Sequence, residues 1–595
     1  MNPLVIDKAL EGPSLALGIS HLPTLIWLFI VFLLFFILTL LLRIIRVRER
    51  QRSISTPMLI INIALFILGF ATSIGTFYYS HLLIIAILLT PFTHLFVALH
   101  GRETSRIKIL ALALATLVIT AMGSRFLVAG VQEEETTSDM INIWLNGYFR
   151  WSIHGGHYDL APLDPILKVM LAHVTGQDIY DAAIAAAMYT SYGLAAFLLL
   201  YTLVRTLTGR AALALPIIIL TMLSYPYSPL IGLSVPPAPH AHLLTVSALT
   251  LILRPLLGLG DLTNRQVIAA SILLTAATLM HPSTIATPLF LVMVTAILKI
   301  EKKNVDIKII YILVLVITLI FIKIAYTAFV SGFTGYLVLL WNYIITALTG
   351  REALDFTTRN VGYSGLPRLS IVGFGAFFGF LAGLALPLLM KALRRQKLTS
   401  VELLFLATAF FYALFAAASL LSGIGGVSQS RILFNGAQPY VEVITAIYLA
   451  TLVAAAKRLA LLIPLALAVA FTLITPNAMP FNYSIPMAKP ATINDHIIAY
   501  AFTGLIDKDF YITLYDSCGQ QGRIIATQVR GEVAYGLGGT QSLTYFFIAP
   551  RVIPARSYWD GCVMAINAPP RDADRYIKNR VFDAWVYAFY LYRPA

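Results

Sequence analysis

A short acidic stretch holds the residues of this chain that are best suited to chemistry. Glu133, Glu134, Glu135 and Asp139 follow the apolar run Ile109–Ala129 within a few residues. A carboxylate at such a position can remove a proton from a hydroxyl group, and carboxylate oxygens also hold divalent cations such as Mg²⁺ or Mn²⁺. Asp139 is the favoured catalytic acid or base, and the three glutamates, Glu135 among them, are its alternates. The competing interpretation is a solvated acidic loop without a catalytic role.

Histidines form a second group of candidates. They are His154 and His157, followed by Asp159, then His240 and His242, and last His281. Imidazole is a common ligand of transition metals, and spacings of three and two residues allow ligand pairs. Hydrogen bonding to the substrate or to lipid headgroups is the simpler role for these side chains. We therefore treat all but His281, which is expected to cap a short span, as substrate or metal-binding candidates.

Two cations near the ends of apolar runs could hold an anion. Arg431 lies in the segment Ser422–Tyr440, which contains no acidic residue. Guanidinium can bind phosphate oxygens through two parallel hydrogen bonds. Lys323 lies about five residues from the end of an apolar run, where a cation is either functional or snorkels to the interface. Both are candidates for binding a phosphate, and the alternative for each is simple anchoring among lipid headgroups.

Composition identifies the elements that must position these residues. Of the 595 residues, 59% are hydrophobic and 12% are charged, the mean hydropathy is +0.82, and ordinary globular chains carry about 25% charged residues. Apolar runs such as Leu25–Leu42, Ile309–Ala328 and Ile371–Met390 can each cross a hydrocarbon core about 30 Å thick. The sequence predicts an all-α polytopic membrane protein with about fourteen spans.

The net charge of +14 does not indicate nucleic acid, because the basic residues form no long run and no face interleaved with aromatic residues. They instead form short clusters in alternate loops, for example Arg43–Arg52 and Lys391–Lys397. Positive clusters favour the cytoplasmic side. The pattern therefore predicts a multi-pass protein of the cell membrane with both termini outside the cytoplasm. The candidate residues then lie on the extracytoplasmic side, most of them in a large first outer loop, residues 131–181.

The segment from residue 476 to 595 has a different composition. Short β-like runs such as Phe510–Tyr515 and Arg523–Gln528 alternate with turn residues, and an amphipathic helix is predicted over Asp572–Tyr590. Cys518 and Cys562 are the only cysteines of the chain. Because extracytoplasmic compartments permit oxidation, we expect these two to form a disulfide. The prediction is a small extracytoplasmic α/β domain.

The segment around the acidic stretch resembles the opening module of the GT-C superfamily, the integral-membrane glycosyltransferases. The likeness rests on Glu133-Glu134-Glu135-Thr-Thr-Ser-Asp139, on His154-Gly-Gly-His157-Tyr-Asp159, and on Tyr225-Pro-Tyr-Ser-Pro229. Farther along, Ser430-Arg431-Ile-Leu-Phe-Asn435 resembles the arginine-led start of a late span. The resemblance covers residues 108–475 and follows an N-terminal extension of about three spans in residues 1–107. The spans are rich in isoleucine and leucine and no cleaved signal is predicted, which suits a prokaryotic source such as an archaeon.

The resemblance implies a function and a set of roles. The chain would transfer a sugar from a polyprenyl-phosphate-linked donor, such as a dolichyl phosphate sugar, to a glycan, lipid or protein acceptor. Asp139 would correspond to the catalytic acid of the first outer loop, and Arg431 would correspond to the arginine that binds the donor phosphate. The C-terminal segment would help to select the acceptor.

Other functions remain open at the level of sequence. Tyr558-Trp559-Asp560-Gly561 partly resembles a motif of oligosaccharyltransferases that glycosylate asparagine, but it lacks a tyrosine between Asp560 and Gly561. A transporter or lipid flippase would carry ionisable residues deep within its spans, and the centres of the predicted spans hold almost none. A non-catalytic scaffold for envelope assembly is a third alternative. No nucleotide-binding loop occurs, which disfavours an ATP-driven pump.

Overall fold

The structure, a computed structural model, describes helical residues up to position 473 and seven strands beyond it. The described helical ranges are 14–45, 81–100, 162–177, 182–224, 238–281, 284–300 apart from residue 285, 307–330, 368–421, 429–456 and 458–473, with isolated residues between 60 and 68 and between 110 and 143.

The described part of the N-terminal 473 residues is helical, as its apolar runs require in a membrane. Its helices are α1 Ser14–Ile44, α2 His81–His100, α3 Leu163–Thr175, α4 Ala182–Thr208, α5 Ala211–Leu223, α6 Ala238–Ile252, α7 Asn264–Met280, α8 Thr287–Ile300, α9 Ile307–Val330, α10 Arg368–Leu393, α11 Ser400–Leu421, α12 Gln429–Ala456 and α13 Leu462–Leu473. The predicted runs Leu25–Leu42, Ile309–Ala328 and Ile371–Met390 fall within α1, α9 and α10. The run Ile109–Ala129 lies almost entirely outside the described residues.

Helix α5 lies in the centre of the bundle. All thirteen of its residues are buried, and it packs with α2, α4, α12 and α13. A helix that is apolar on every side belongs in the interior. Thirteen residues span about 20 Å, which is shorter than a hydrocarbon core of about 30 Å. The helix is therefore an interior element of the bundle.

Among the helices that the structure describes, α1 and α10 form the most extensive pair, and two glycines allow their close approach. Gly379 and Gly383 are four residues apart on α10 and face α1. A Cβ atom added at Gly379 would overlap the backbone oxygen of Phe32, and one added at Gly383 would lie 2.7 Å from Thr39 Cβ. Small residues at this spacing let membrane helices pack backbone to backbone. The N-terminal helix is thereby held against the later part of the bundle.

Gly379→Ala is expected to destabilise the protein. Alanine gains about 1 kcal/mol of helix propensity over glycine, but overpacking costs about 1 to 3 kcal/mol, and the atom overlapped here is backbone, which cannot rotate away. Gly193→Ala on α4 is the matched control, because its Cβ would lie an ordinary 3.8 Å from Leu243 Cδ1. Thermal unfolding in detergent should show a lower midpoint for Gly379→Ala only; an unchanged midpoint would contradict this close packing.

Side-chain bonds join helices at both ends of the bundle. Arg43 donates to the Leu384 carbonyl at 2.9 Å and to the Tyr448 hydroxyl at 3.1 Å, which ties α1 to α10 and α12. At the other end of the bundle, Thr472 donates to the Ser224 carbonyl at 2.9 Å. The number of spans and the orientation of the termini stay predictions.

The described residues beyond position 500 form strands. They are β1 Tyr511–Tyr515, β2 Val533–Tyr535, β3 Leu543–Ile548, β4 Ala555–Arg556, β5 Val563–Met564, β6 Asn579–Ala584 and β7 Tyr587–Leu591. Five of them form a mixed sheet of order β2-β1-β3-β7-β6, in which β1 runs parallel to β2 and β3, and β7 runs antiparallel to β3 and β6. The predicted helix Asp572–Tyr590 is wrong, since β6 and the start of β7 occupy its second half.

Candidate active site

Two histidines in the first turns of α6 organise the polar core of the bundle. His240 and His242 follow a proline-rich segment, and both are buried among the helices. Successive helical residues turn by about 100°, so these two side chains leave α6 in nearly opposite directions. Each meets a carboxylate from a different part of the chain.

His240 belongs to a buried charge cluster with α3. Its Nδ1 donates to Asp164 Oδ1 at 2.7 Å, and Lys168 Nζ lies 2.6 Å from Asp164 Oδ2. Asp164 and Lys168 are one helical turn apart, the spacing at which side chains of opposite charge meet. All three side chains are fully buried, and the Tyr192 ring packs edge-on against the imidazole with centroids 5.3 Å apart.

The Asp164 carboxyl is held as a carboxylate. Burial alone would raise its pKa, but the Lys168 charge and the His240 hydrogen bond outweigh that effect and hold the pKa at about 2. A depressed carboxyl pKa means that the folded protein favours the ionised form. The cluster is therefore a charged one, in which one carboxylate is shared between an ammonium group and an imidazole.

His242 makes the second arm, toward α12. Its Nε2 donates to Glu442 Oε2 at 2.8 Å, and Gln438 Nε2 donates to Glu442 Oε1 at 2.5 Å. Gln438 and Glu442 are again one helical turn apart and are buried. Both carboxylate oxygens of Glu442 are thus bonded to protein donors.

These groups do not fit a divalent metal ion. Both oxygens of Glu442 accept hydrogen bonds, and Asp164 accepts one from His240 through Oδ1 while Lys168 forms an ion pair with its Oδ2. The described residues contain no cluster of three or more His, Cys, Asp or Glu side chains that could ligate a metal. A cation bound by Asp139 or its neighbours stays a prediction, since that segment lies outside the described residues.

Of the sequence-predicted site residues, the structure describes His240, His242, Arg431 and Lys323. Arg431 lies in the first turn of α12, on the helix that carries Gln438 and Glu442. Lys323 Nζ donates to the Thr278 carbonyl on α7 at 2.5 Å. Outside the described residues lie Glu133, Glu134, Glu135, Asp139, His154, His157, Asp159, Cys518 and Cys562.

The sequence interpretation missed four residues of this polar core. Glu442 is a charged residue in the apolar window Ala437–Ala454, and an acid at such a position is a functional signal by itself. Asp164 and Lys168 had a weaker signal, the spacing of four residues. Gln438 had none, because a single uncharged amide does not by itself indicate a site.

Length, composition and exposure define the class of protein. Among the described residues three helical windows are long and apolar enough to cross a membrane: Thr190–Thr208, Gly375–Leu393 and Ala437–Ala454. Large apolar side chains also face outward; Phe321 and Phe410 expose 68% and 71% of their surface. Extended apolar surfaces of this kind need lipid around them. The chain is a helical integral membrane protein.

Comparison with known proteins adds structural likenesses to several solved chains, two of which follow. The chain is similar to the apo-form oligosaccharyltransferase of Archaeoglobus fulgidus, with 13% identity, a TM-score of 0.42, and coverage of 73% of this chain and 69% of that one. It is also similar to ArnT from Cupriavidus metallidurans bound to undecaprenyl phosphate, with 12% identity, a TM-score of 0.33, and coverage of 82% and 97%. Likenesses at these scores carry no argument about this chain. No family model and no curated protein matches the sequence.

Proposed function

We propose that the protein is a membrane glycosyltransferase. It takes a sugar from a polyprenyl-phosphate-linked donor and transfers it to a glycan, lipid or protein acceptor on the extracytoplasmic face. Asp139 removes the acceptor proton as the bond between the sugar and the phosphate breaks. Arg431 binds the donor phosphate, and Lys323 is a second candidate for that role.

One observation carries the proposal: buried polar bonds connect the segments that contain the two main candidates. Asp164 lies in the predicted outer loop, residues 131–181, that also contains Asp139, and it is bonded to His240 on α6. His242, also on α6, is bonded to Glu442 on α12, the helix that begins with Arg431. Residues separated by 76 and by 200 positions thus meet around α6, as a site shared by Asp139 and Arg431 requires.

Helix periodicity supports the place of Arg431 in that site. Arg431, Gln438 and Glu442 are spaced by seven and by four residues along α12, so their Cα atoms lie on one face of the helix. Gln438 and Glu442 face α6. Arg431 starts the same face about 10 Å nearer the helix N-terminus, toward the membrane surface in the predicted orientation.

The test of the proposal is donor binding and transfer by Arg431 variants. Arg431→Ala is expected to weaken donor affinity roughly ten- to a hundredfold, because it removes charge-assisted hydrogen bonds to phosphate. Arg431→Lys should keep the charge but lose the two-pronged geometry and bind with intermediate affinity. Photo-crosslinking and transfer with a radiolabelled polyprenyl-phosphate sugar measure both effects.

The matched control is Arg394→Ala. Arg394 is an exposed guanidinium between α10 and α11, at the predicted cytoplasmic end, and its replacement should leave donor affinity unchanged. Unaltered affinity in Arg431→Ala would remove this residue from the site. Absence of sugar transfer by the wild-type protein with every polyprenyl-phosphate donor tried would overturn the proposed function itself.

The buried pair His242–Glu442 favours a second candidate, a lipid transporter or flippase. Ionisable groups inside a helical bundle are common in proton-linked carriers, and Glu442 lies within an apolar helical window. Reconstituted vesicles separate the two functions. Movement of a labelled polyprenyl phosphate across the bilayer without any sugar transfer would favour the carrier.

A further inference from the structure

The two arms of α6 have a common construction. His240 and His242 point in nearly opposite directions from one helix end, and each donates a ring N–H to a buried carboxylate. Each carboxylate also meets a second group one turn away on its own helix: Asp164 forms an ion pair with Lys168 on α3, and Glu442 accepts a hydrogen bond from Gln438 on α12. Both arms are enclosed within the protein.

We infer that His240 and His242 are positioning residues, which hold α3 and α12 at a fixed separation on opposite faces of α6. Helix α3 lies in the predicted outer loop that also contains Asp139, and α12 carries Arg431 in its first turn. The kinetic part of this inference rests on the proposed function. The structural part, that His240 positions α3 and His242 positions α12, is independent of the proposed function.

Burial and directionality distinguish this role from metal or substrate binding. The bonded ring nitrogens face protein carboxylates whose other oxygens are also engaged. Burying such charged partners is expensive compared with apolar packing, but their hydrogen bonds are directional, whereas apolar contacts let helices slide and rotate. A bond to Glu442 therefore sets the rotation of α12, and a bond to Asp164 sets the place of α3.

The kinetic test uses one variant for each arm. His242→Ala is expected to raise the donor KM about tenfold or more with little change in kcat, because Arg431 is displaced. His240→Ala should lower kcat by a similar factor with little change in donor KM, because the segment of Asp139 is displaced. The amides of His240→Asn and His242→Gln can donate in place of the ring N–H, and both variants should recover most activity.

Hydrogen exchange of the full-length protein in detergent tests the two arms without any activity measurement. His240→Ala should speed exchange in residues 163–175, and His242→Ala should speed exchange in residues 429–442, each with little effect on the other segment. Thr287→Val is the control, since it removes a buried 2.7 Å bond to Tyr440 on α12 without touching α6. It should leave both exchange rates near those of the wild type.

The possible outcomes separate this inference from the proposed function. Selective loss of protection in each variant supports the positioning role even if no sugar transfer is found with any donor. The inference is overturned if either alanine variant loses exchange protection in both segments. It is also overturned if the loss of protection is no greater than in Thr287→Val. If the protein is active, a second result would also overturn it: KM and kcat change together in both alanine variants, and His240→Asn and His242→Gln do not recover activity.

Discussion

Asp139→Asn is expected to reduce sugar transfer by about 10²- to 10⁴-fold while the donor still binds. The exchange keeps the shape of the side chain but removes its ability to accept the acceptor proton. Donor crosslinking should stay at the wild-type level, because Asp139 is proposed to act on the acceptor hydroxyl and not on the phosphate. Transfer rates at saturating donor, together with donor crosslinking, measure the two effects separately.

The control for this prediction is Asp261→Asn. Asp261 is exposed in the turn before α7, at the predicted cytoplasmic end, and its replacement should leave the rate unchanged. Transfer by Asp139→Asn within about tenfold of the wild type would exclude it as the base, since general-base catalysis contributes more than that. Glu133, Glu134 and Glu135 would then be tested in the same way.

The sequence predicted the long helices well because their signal is local. The runs 309–328 and 371–390 are apolar for the length of a span, and the structure gives α9 and α10 over Ile307–Val330 and Arg368–Leu393. Short runs are harder. The segment of α5 is as apolar as any span, and only its buried place among other helices shows that it is internal.

The C-terminal segment shows how a periodic pattern can mislead. Residues 579–591 have apolar positions at helical spacing, but they are also rich in the aromatic and β-branched residues that strands favour. Pairing decided between the two structures: β7 aligns Tyr590 with Phe546 and Phe589 with Phe547 on β3, which is more than 40 residues away. A single-sequence pattern contains no information about such a partner.

The polar core could be predicted only in part, for a similar reason. His240 and His242 were identifiable as candidates by their type and spacing. Their partners were not, because Asp164 lies 76 and Glu442 lies 200 positions away. The prediction of a possible metal site rested on the types and spacing of the histidines, which contain no information about the lysine and the amide that contact the same carboxylates.

The buried ion pair between Asp164 and Lys168 gives the largest expected effect on stability. Asp164→Asn leaves a fully buried ammonium group without its counter-charge, and breaking such a pair costs about 3 to 5 kcal/mol. The double variant Asp164→Asn with Lys168→Met removes both charges and should recover a large part of that loss, because paired removal avoids the uncompensated charge. Chemical denaturation in mixed micelles measures the four members of the cycle.

The effect of acid on stability and an exposed ion pair test the same buried cluster. The pKa of the Asp164 carboxyl falls from 3.8 to about 2 in the folded protein. Its contribution to the free energy of unfolding is therefore fully present above pH 4 and is lost as the pH falls toward 2. Asp164→Asn should lack this part of the acid destabilisation.

Glu402→Gln breaks the pair with Lys391, whose side chain is 42% exposed, and should cost at most about 1 kcal/mol. Equal losses in Asp164→Asn and Glu402→Gln would mean that Lys168 is solvated, and the buried cluster around His240 would then be wrong.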